Sequence, residues 1–348
     1  MDMKHELEEM INVPGVSGYE EDIREYIRSK VDALGVDAHE DNIGNLVSVV
    51  GDKGPVVMFI AHMDELGLIV TKMEEDGSLR IRKVGGIDDR TLVGRVVKIK
   101  TQKGIVTGVL GLKPPHLMTE SDDKKKVISW EEVRVDVGTR TRKETEELGV
   151  RVLDPMVLKK DITYLTPDII CSRAVDDRMG CAILLDAIEK LKDRKLAIKI
   201  VFVWSVQEET GLKGAKVAGF MYKPEYVFAV DTMTTTDAPK QGETYEKVCL
   251  GDGPAMRMFD NYAVASPKMR KLVEEVAKAA NIPLQYGSGG GTTDGSVVQE
   301  YGALMMALGI AMRYTHSPTE CASIKDMQNM SKLLVKLAER IAKDSKAR

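Results

Sequence analysis

Cysteine is scarce in this chain. Four occur in 348 residues, Cys171, Cys181, Cys249 and Cys321, widely spaced and with no CxxC pair. That pattern argues against a disulfide framework and against a cysteine-bound zinc site. Aromatic residues make up only 5%, few for a cleft that stacks sugar rings. Long hydrophobic runs are also missing. The longest apolar stretch, around Ala303–Met312, is interrupted by Gly309 and is too short to span a bilayer. The opening MDMKHELEEM lacks the basic and apolar regions of a signal peptide, so a cytoplasmic enzyme is expected. Neither sign of charge dominates. With 50 basic and 54 acidic residues spread along the chain, the net charge is −4, and nothing suggests a nucleic-acid or membrane-surface partner. The run Lys124–Lys126 is balanced by Asp122 and Asp123 and reads as a solvated loop.

What is present is an ordinary globular composition, 43% hydrophobic and 30% charged, in a chain long enough for about two domains. Near the start, Ser17 and Glu20 form an S-x-x-E capping-box pattern. It precedes a helical face of Ile23, Tyr26, Ile27, Val31 and Leu34, with Gly35 as the stop. Apolar strands follow at Asn45–Val50 and Val56–Ala61. From about Leu68 to Tyr164 the texture changes to short β-runs separated by turn signals, with one helical stretch near Arg142–Leu148. Helix and strand then alternate again: a helix over Asp177–Leu191, strands Ile198–Ser205 and Tyr226–Asp231, and a helix over Pro267–Ala280. A strand near Ala303–Leu308 and a terminal helix from Ile324 complete the series. The pattern predicts an α/β domain, residues 1–67 and 165–348, whose mixed sheet is covered by helices on both faces. A small all-β barrel or sandwich, residues 68–164, is inserted after its second or third strand.

Candidate chemistry collects where apolar strands meet polar residues. Val56–Ala61 runs into His62-x-Asp64, which puts an imidazole at the sheet rim with a carboxylate near enough to hold its second nitrogen. Ile198–Ser205 leads into Gln207-Glu208-Glu209, and Tyr226–Val230 ends at Asp231. Asp176 and Asp177 open a helix, where they can act as caps or as a bridging ligand. His316 follows another apolar strand in Arg313-Tyr-Thr-His316-Ser-Pro318. Each piece alone has an ordinary structural reading. Together, His62 and His316 (two of five histidines) with Asp176, Glu209 and Asp231 suffice for two metal ions sharing one carboxylate. The mixture of imidazole and carboxylate suits Zn²⁺ or Co²⁺ better than Mg²⁺. Glu208 and Glu209, if extended, point apart: one toward the metal, the other toward a bound water as general base.

These motifs resemble the tetrahedral (TET) aminopeptidases. The match runs through His62-x-Asp64, Ala174-x-Asp176-Asp177-Arg178-x-Gly180, Gln207-Glu208-Glu209-x-Gly211-x-x-Gly214-Ala215, Val230-Asp231 and Arg313-Tyr-x-His316-Ser-Pro. It extends to Val13-Pro-Gly-Val-Ser-Gly-Tyr-Glu20 and covers nearly the whole chain. The resemblance implies a metallo-aminopeptidase that takes residues from free peptide N-termini. Asp176 would bridge two divalent ions, Zn²⁺ or Co²⁺, with His62 and Asp231 on one and Glu209 and His316 on the other. Glu208 would be the general base and Asp64 the group orienting His62. It also implies a cis peptide between Asp176 and Asp177, a PDZ-like inserted domain that drives dimerisation, and a tetrahedral homododecamer. The chain departs from the family at Gly289-Gly-Gly291-Thr-Thr-Asp294-Gly295, where GGGTDA is usual.

Other readings compete. A carboxypeptidase, dipeptidase or N-acyl amino-acid deacylase would use the same dinuclear ligands. Glycoside hydrolysis needs two carboxyl groups about 5–9.5 Å apart across a sugar, which neighbouring glutamates supply poorly, and it leaves the histidines unused. A metal-free scaffold would be expected to lack a ligand, and none is missing.

Overall fold

The computed structural model describes residues 1–119, 125–239 and 247–346. Lys124, Asp122 and Asp123 lie outside them, while Lys125 and Lys126 are exposed. The chain opens with α1 (Met3–Asn12), α2 (Glu21–Ala33), β1 (Ala38–Glu40), β2 (Leu46–Val50) and β3 (Val56–His62). Next come β4 (Gly67–Met73), β5 (Leu79–Val84), β6 (Val96–Thr101), β7 (Gly104–Leu110), β8 (Val135–Asp136), α3 (Arg142–Glu147) and β9 (Pro155–Leu158). After β10 (Thr163–Tyr164) and β11 (Ile169–Ser172) come α4 (Val175–Leu191), β12 (Lys199–Ser205), α5 (Lys213–Tyr222) and β13 (Tyr226–Thr234). The chain ends with β14 (Ala255–Phe259), α6 (Pro267–Ala279), β15 (Gln285–Ser288), α7 (Asp294–Gln299), β16 (Leu304–Arg313), β17 (Glu320–Ser323) and α8 (Ile324–Lys346).

One unit comprises Met1–Asp64, Ile162–Thr315 and Thr319–Arg348. Its eleven-stranded mixed sheet runs in the order β1-β2-β12-β3-β13-β16-β17-β11-β10, with β14 also paired to β16 and β15 paired to β14. The centre is parallel: β12 and β13 flank β3, and β13 pairs with β16. These strands are apolar at nearly every position because both faces are covered. Phe59, Phe202, Trp204 and Phe228 point to one side, into a core shared with α1, α4, α6 and α8. Met58, Ile60, Val201, Val203 and Ala229 point to the other, against Ala215 and Ala218 of α5 and Val298 of α7. The Phe59 ring lies 5.6 Å from Phe202 and 5.7 Å from Phe228. Full burial of such side chains contributes about 1.5–3 kcal/mol each. Among the described residues, no helix is long and apolar enough to cross a membrane.

The other unit, Glu65–Asp161 with His316–Pro318, is a closed six-stranded barrel in the order β4-β5-β8-β7-β6-β9. Leu68, Val70, Leu79, Ile81, Val97, Ile99, Val135 and Met156 alternate inward to fill it, and closure removes exposed strand edges.

Two local expectations change. The Ser17–Glu20 pattern does not cap α2: Glu20 occupies the N-cap position without a side-chain cap bond. The chain also forms a separate first helix, α1, capped by Asp2, whose carboxylate accepts from the N–H groups of Lys4 and His5 at 3.1 and 3.3 Å. Tyr226–Asp231 extends to Thr234, so Asp231 sits inside a strand instead of at its end.

Candidate metal centre

The site lies at the carboxyl ends of the parallel strands. His62 is the last residue of β3 and pairs in register with Ser205 of β12. Two residues before Asp231 on β13, Ala229 pairs with Ile60 of β3, two residues before His62. The strand order therefore brings together residues far apart in sequence. Ligand atoms of His62, Asp176 and Asp231 lie within 4.8 Å of one another, and so do those of His62, Glu208 and Glu209.

His62 is held from both sides. Its Nδ1 donates to the main-chain oxygen of Asp64 at 3.1 Å, an atom that can only accept. Nε2 therefore faces the Asp176 carboxylate, 3.3 Å away. Burial works against charge on the ring, but the carboxylates of Asp176 and Asp64 outweigh it and hold its pKa well above the ordinary histidine value. Burial opposes ionisation of Asp64 too, yet His62 and the Glu208 N–H hold its pKa below the usual carboxylate range.

The two aspartates at the start of α4 divide the roles that the sequence left open. The peptide between them is cis, and both residues have non-helical backbone angles. Asp176 turns to the site: its Oδ2 accepts from the Thr232 hydroxyl at 3.1 Å, and its N–H donates to Glu320 at 3.1 Å. Asp177 serves the helix, its Oδ1 accepting from the Gly180 N–H at 3.0 Å.

Glu208 and Glu209 differ from expectation. Gln207 is left-handed at φ 55°, and Glu208 and Glu209 form a bend and turn instead of extended chain. Their side chains do not diverge, and both reach the His62 group. Asp64 anchors the turn, its two oxygens accepting from the N–H groups of Glu208 and Glu209 at 3.0 and 3.2 Å. On the far side of the turn, a Cβ on Gly214 would lie 2.2 Å from the Asn45 amide oxygen and 2.6 Å from the Val206 backbone, so only glycine closes it.

His316 belongs to the six-residue turn between β16 and β17 and is left-handed at φ 62°. That hairpin carries Glu320, the partner of the Asp176 N–H. Sequence reasoning gave no role to Asp294, which is buried beside the same cluster and accepts from the Ser205 hydroxyl. Its only signal was the Gly-rich stretch that precedes it.

The charge balance tests whether cations fit. Burial first, then Asp176, raises Asp231 to about 6. Burial raises Asp294 to about 7, with His62 opposing and Asp231 and Asp64 adding to it. Burial, with Asp231 and Glu209 nearby, pushes Glu208 well above its usual value. Several carboxylates thus converge on one imidazole, and each resists ionisation while its neighbours are charged. A divalent cation between Nε2 of His62 and the oxygens of Asp176 and Asp231 would relieve that repulsion. The donor types are those preferred by zinc-like ions.

Residues 44–333 match the M42 glutamyl aminopeptidase family. The chain belongs to the M42 aminopeptidase family. Among its relatives, a putative aminopeptidase of Acetivibrio thermocellus is 38% identical over 96% of this chain and 98% of its own length. The lysyl aminopeptidase of Pyrococcus furiosus is 35% identical over 96% of each chain. The TET1 peptidase of Pyrococcus horikoshii, described as assembling into a tetrahedron or a large octahedral shell, superposes with a TM-score of 0.91. It is 39% identical over 97% of this chain and 99% of its own. The mixed sheet with its barrel is the fold of the TET aminopeptidases.

Proposed function

We propose that this M42 family member is a dinuclear metallo-aminopeptidase that removes residues from the free N-termini of peptides. The observation that carries the reading is the convergence of Asp176, Asp231, Glu208 and Glu209 on His62 at the carboxyl rim of the sheet. In it Asp176 would be the ligand shared by both ions, His62 and Asp231 would help hold one, and Glu209 and His316 the other. When bound, two Zn²⁺ or Co²⁺ ions would supply Lewis acidity at the scissile carbonyl and lower the pKa of the attacking water. Glu208 accepts the proton of that water and passes it to the leaving amine, the work of a general base followed by a general acid. Asp64 fixes the tautomer of His62 through Nδ1, so that Nε2 keeps its lone pair for the ion.

The comparisons support the aminopeptidase reading over the deacylase and carboxypeptidase readings that share these ligands. Leu-, Lys- and Glu-anilides should be hydrolysed, while N-acetylated amino acids and peptides offering only a free C-terminus are spared. Turnover confined to the N-acetylated substrates would reverse the assignment.

Assembly belongs to the same proposal. The near-full-length match to a peptidase solved as a dodecamer and described as assembling into a tetrahedron or a large octahedral shell supports growth to a tetrahedral dodecamer. Dimerisation through the barrel unit and a cytoplasmic location are part of the same proposal. Light scattering should then give about twelve times the 38.4 kDa of one chain. A monodisperse monomer at micromolar concentration contradicts it.

A further inference from the structure

The segment Val13–Glu20 has no part in the ligand set, and its S-x-x-E pattern does not cap the helix that follows. Its side chains reach elsewhere. Glu20 is only 4% exposed, and its Oε1 accepts from two backbone groups, the Gly18 N–H at 2.7 Å and the Gln207 N–H at 3.1 Å. The Ser17 hydroxyl, 5% exposed, lies 2.9 Å from the Thr210 hydroxyl. The contacts fall on either side of Glu208 and Glu209.

They complete a row. From Val206 to Glu209 every backbone N–H is held by a side-chain oxygen. Asn45 Oδ1 takes Val206 at 3.0 Å, Glu20 takes Gln207 at 3.1 Å, and Asp64 takes Glu208 and Glu209 at 3.0 and 3.2 Å. Asn45 is fixed in turn, donating to Asp41 at 2.8 Å and to the Gly214 carbonyl at 2.9 Å. The row falls where Gln207 takes a left-handed conformation, unfavourable for a residue with a side chain. Such a turn persists where its surroundings over-determine it. Glu20 is therefore bound to a turn 187 positions away instead of to its own helix.

We propose that Glu20 and Ser17 are positioning residues for Glu208: they clamp the Gln207–Thr210 turn at both ends so that the general-base carboxylate stays aimed at the reacting centre. This rests on the reading of Glu208 as the base. Neither residue touches substrate or metal ligands through its side chain in that role. Glu20 acts through the Gln207 backbone N–H and Ser17 through the Thr210 hydroxyl and the Asp64 carboxylate that holds the turn. Small displacements of a catalytic group are costly, about 10²-fold for 1 Å.

The test uses the full-length, metal-loaded protein and compares Glu20→Leu, Glu20→Gln and Ser17→Ala with Glu208→Gln. Glutamine keeps a carbonyl oxygen that accepts both N–H groups, so Glu20→Gln should hold kcat within about threefold. Glu20→Leu removes both acceptors at similar size and should lower kcat by about 10–10²-fold, with KM and bound metal unchanged. Hydrogen exchange of a peptide spanning residues 205–210 should accelerate in Glu20→Leu but not in Glu20→Gln. A merely structural role would lower thermal stability without this split between kcat and KM, and glutamine would not rescue it. Should Glu20→Leu fail to fold, Ser17→Ala carries the test, with faster exchange in the same peptide and a smaller loss in kcat. Wild-type kcat and unchanged exchange in the folded variants, with Glu208→Gln inactive, overturn the positioning role alone. Full activity of Glu208→Gln removes the base reading and this inference with it.

Discussion

Glu208→Gln lowers kcat by about 10²–10⁴-fold, the usual contribution of a positioned base, and leaves the metal content per subunit unchanged. Glu209→Gln instead weakens one of the two ions, because a neutral amide is a poor ligand for Zn²⁺. The two changes are adjacent and chemically identical, so any difference between them arises from where the carboxylates sit. Both backbone N–H groups are bonded to the Asp64 carboxylate. That anchor is independent of either side chain and should survive both substitutions, leaving the turn in place. In the first variant KM should stay near the wild-type value, since a base acts in the transition state and not in substrate binding. Metal analysis together with steady-state kinetics on one aminoacyl anilide decides the matter. If Glu208→Gln is the variant that sheds metal, or keeps near wild-type kcat, the roles have been assigned the wrong way round or do not exist.

Chelation has the second large effect. Dialysis against a strong chelator should abolish hydrolysis, and Zn²⁺ or Co²⁺ should restore it where Mg²⁺ does not. The same loss should appear in stability, which needs no substrate to measure. An ion bound only by the folded chain stabilises it by about 2.7 kcal/mol at 100 times its Kd. For a chain of 348 residues that corresponds to a Tm shift of about 4 °C per ion. The physical reason is the excess of buried carboxylates over cations around His62. Asp231, held near 6 by burial and by Asp176, is the group most directly relieved by an ion. Full activity and an unchanged Tm in a metal-free sample would end the dinuclear reading.

Much of this architecture was legible in the sequence, for identifiable reasons. The central strands are continuous apolar runs because helices cover both faces of the sheet. The barrel showed itself as alternating short runs because only its interior is dry. Helix α5 gave no signal: its packed face is Gly214, Ala215, Ala218 and Gly219, too small to register as an amphipathic stripe. Helix α7 was missed for its brevity, six residues after a run of glycines. The capping-box reading failed because Glu20 and Ser17 bind a turn far away in sequence, which no local pattern encodes. The expectation that Glu208 and Glu209 point apart failed for a related reason, the left-handed Gln207 just before them. The aspartate pair carried both a helix-capping and a site-facing reading; the resemblance implied the second for Asp176, and in the fold Asp177 accepts from the Gly180 N–H while Asp176 faces His62.

The pairing of the barrel's first and last strands has a consequence for how the chain finds its fold. Leu68 and Ile69 of β4 lie opposite Met156 and Pro155 of β9, so the backbone leaves and re-enters the barrel side by side. Between His62 and Asp176, which meet in the finished site, the insert Glu65–Asp161 is a loop of about 100 residues. Closing such a loop as a flexible coil costs about 4 kcal/mol in entropy, against about 3 kcal/mol for the roughly 25 residues that remain outside the paired ends of β4 and β9. A barrel that has already closed offers its neighbours the short loop and not the long one. The insert thereby behaves as a shorter connector that happens to contain a domain, and lengthening its surface loops should leave assembly of the metal-binding rim almost untouched.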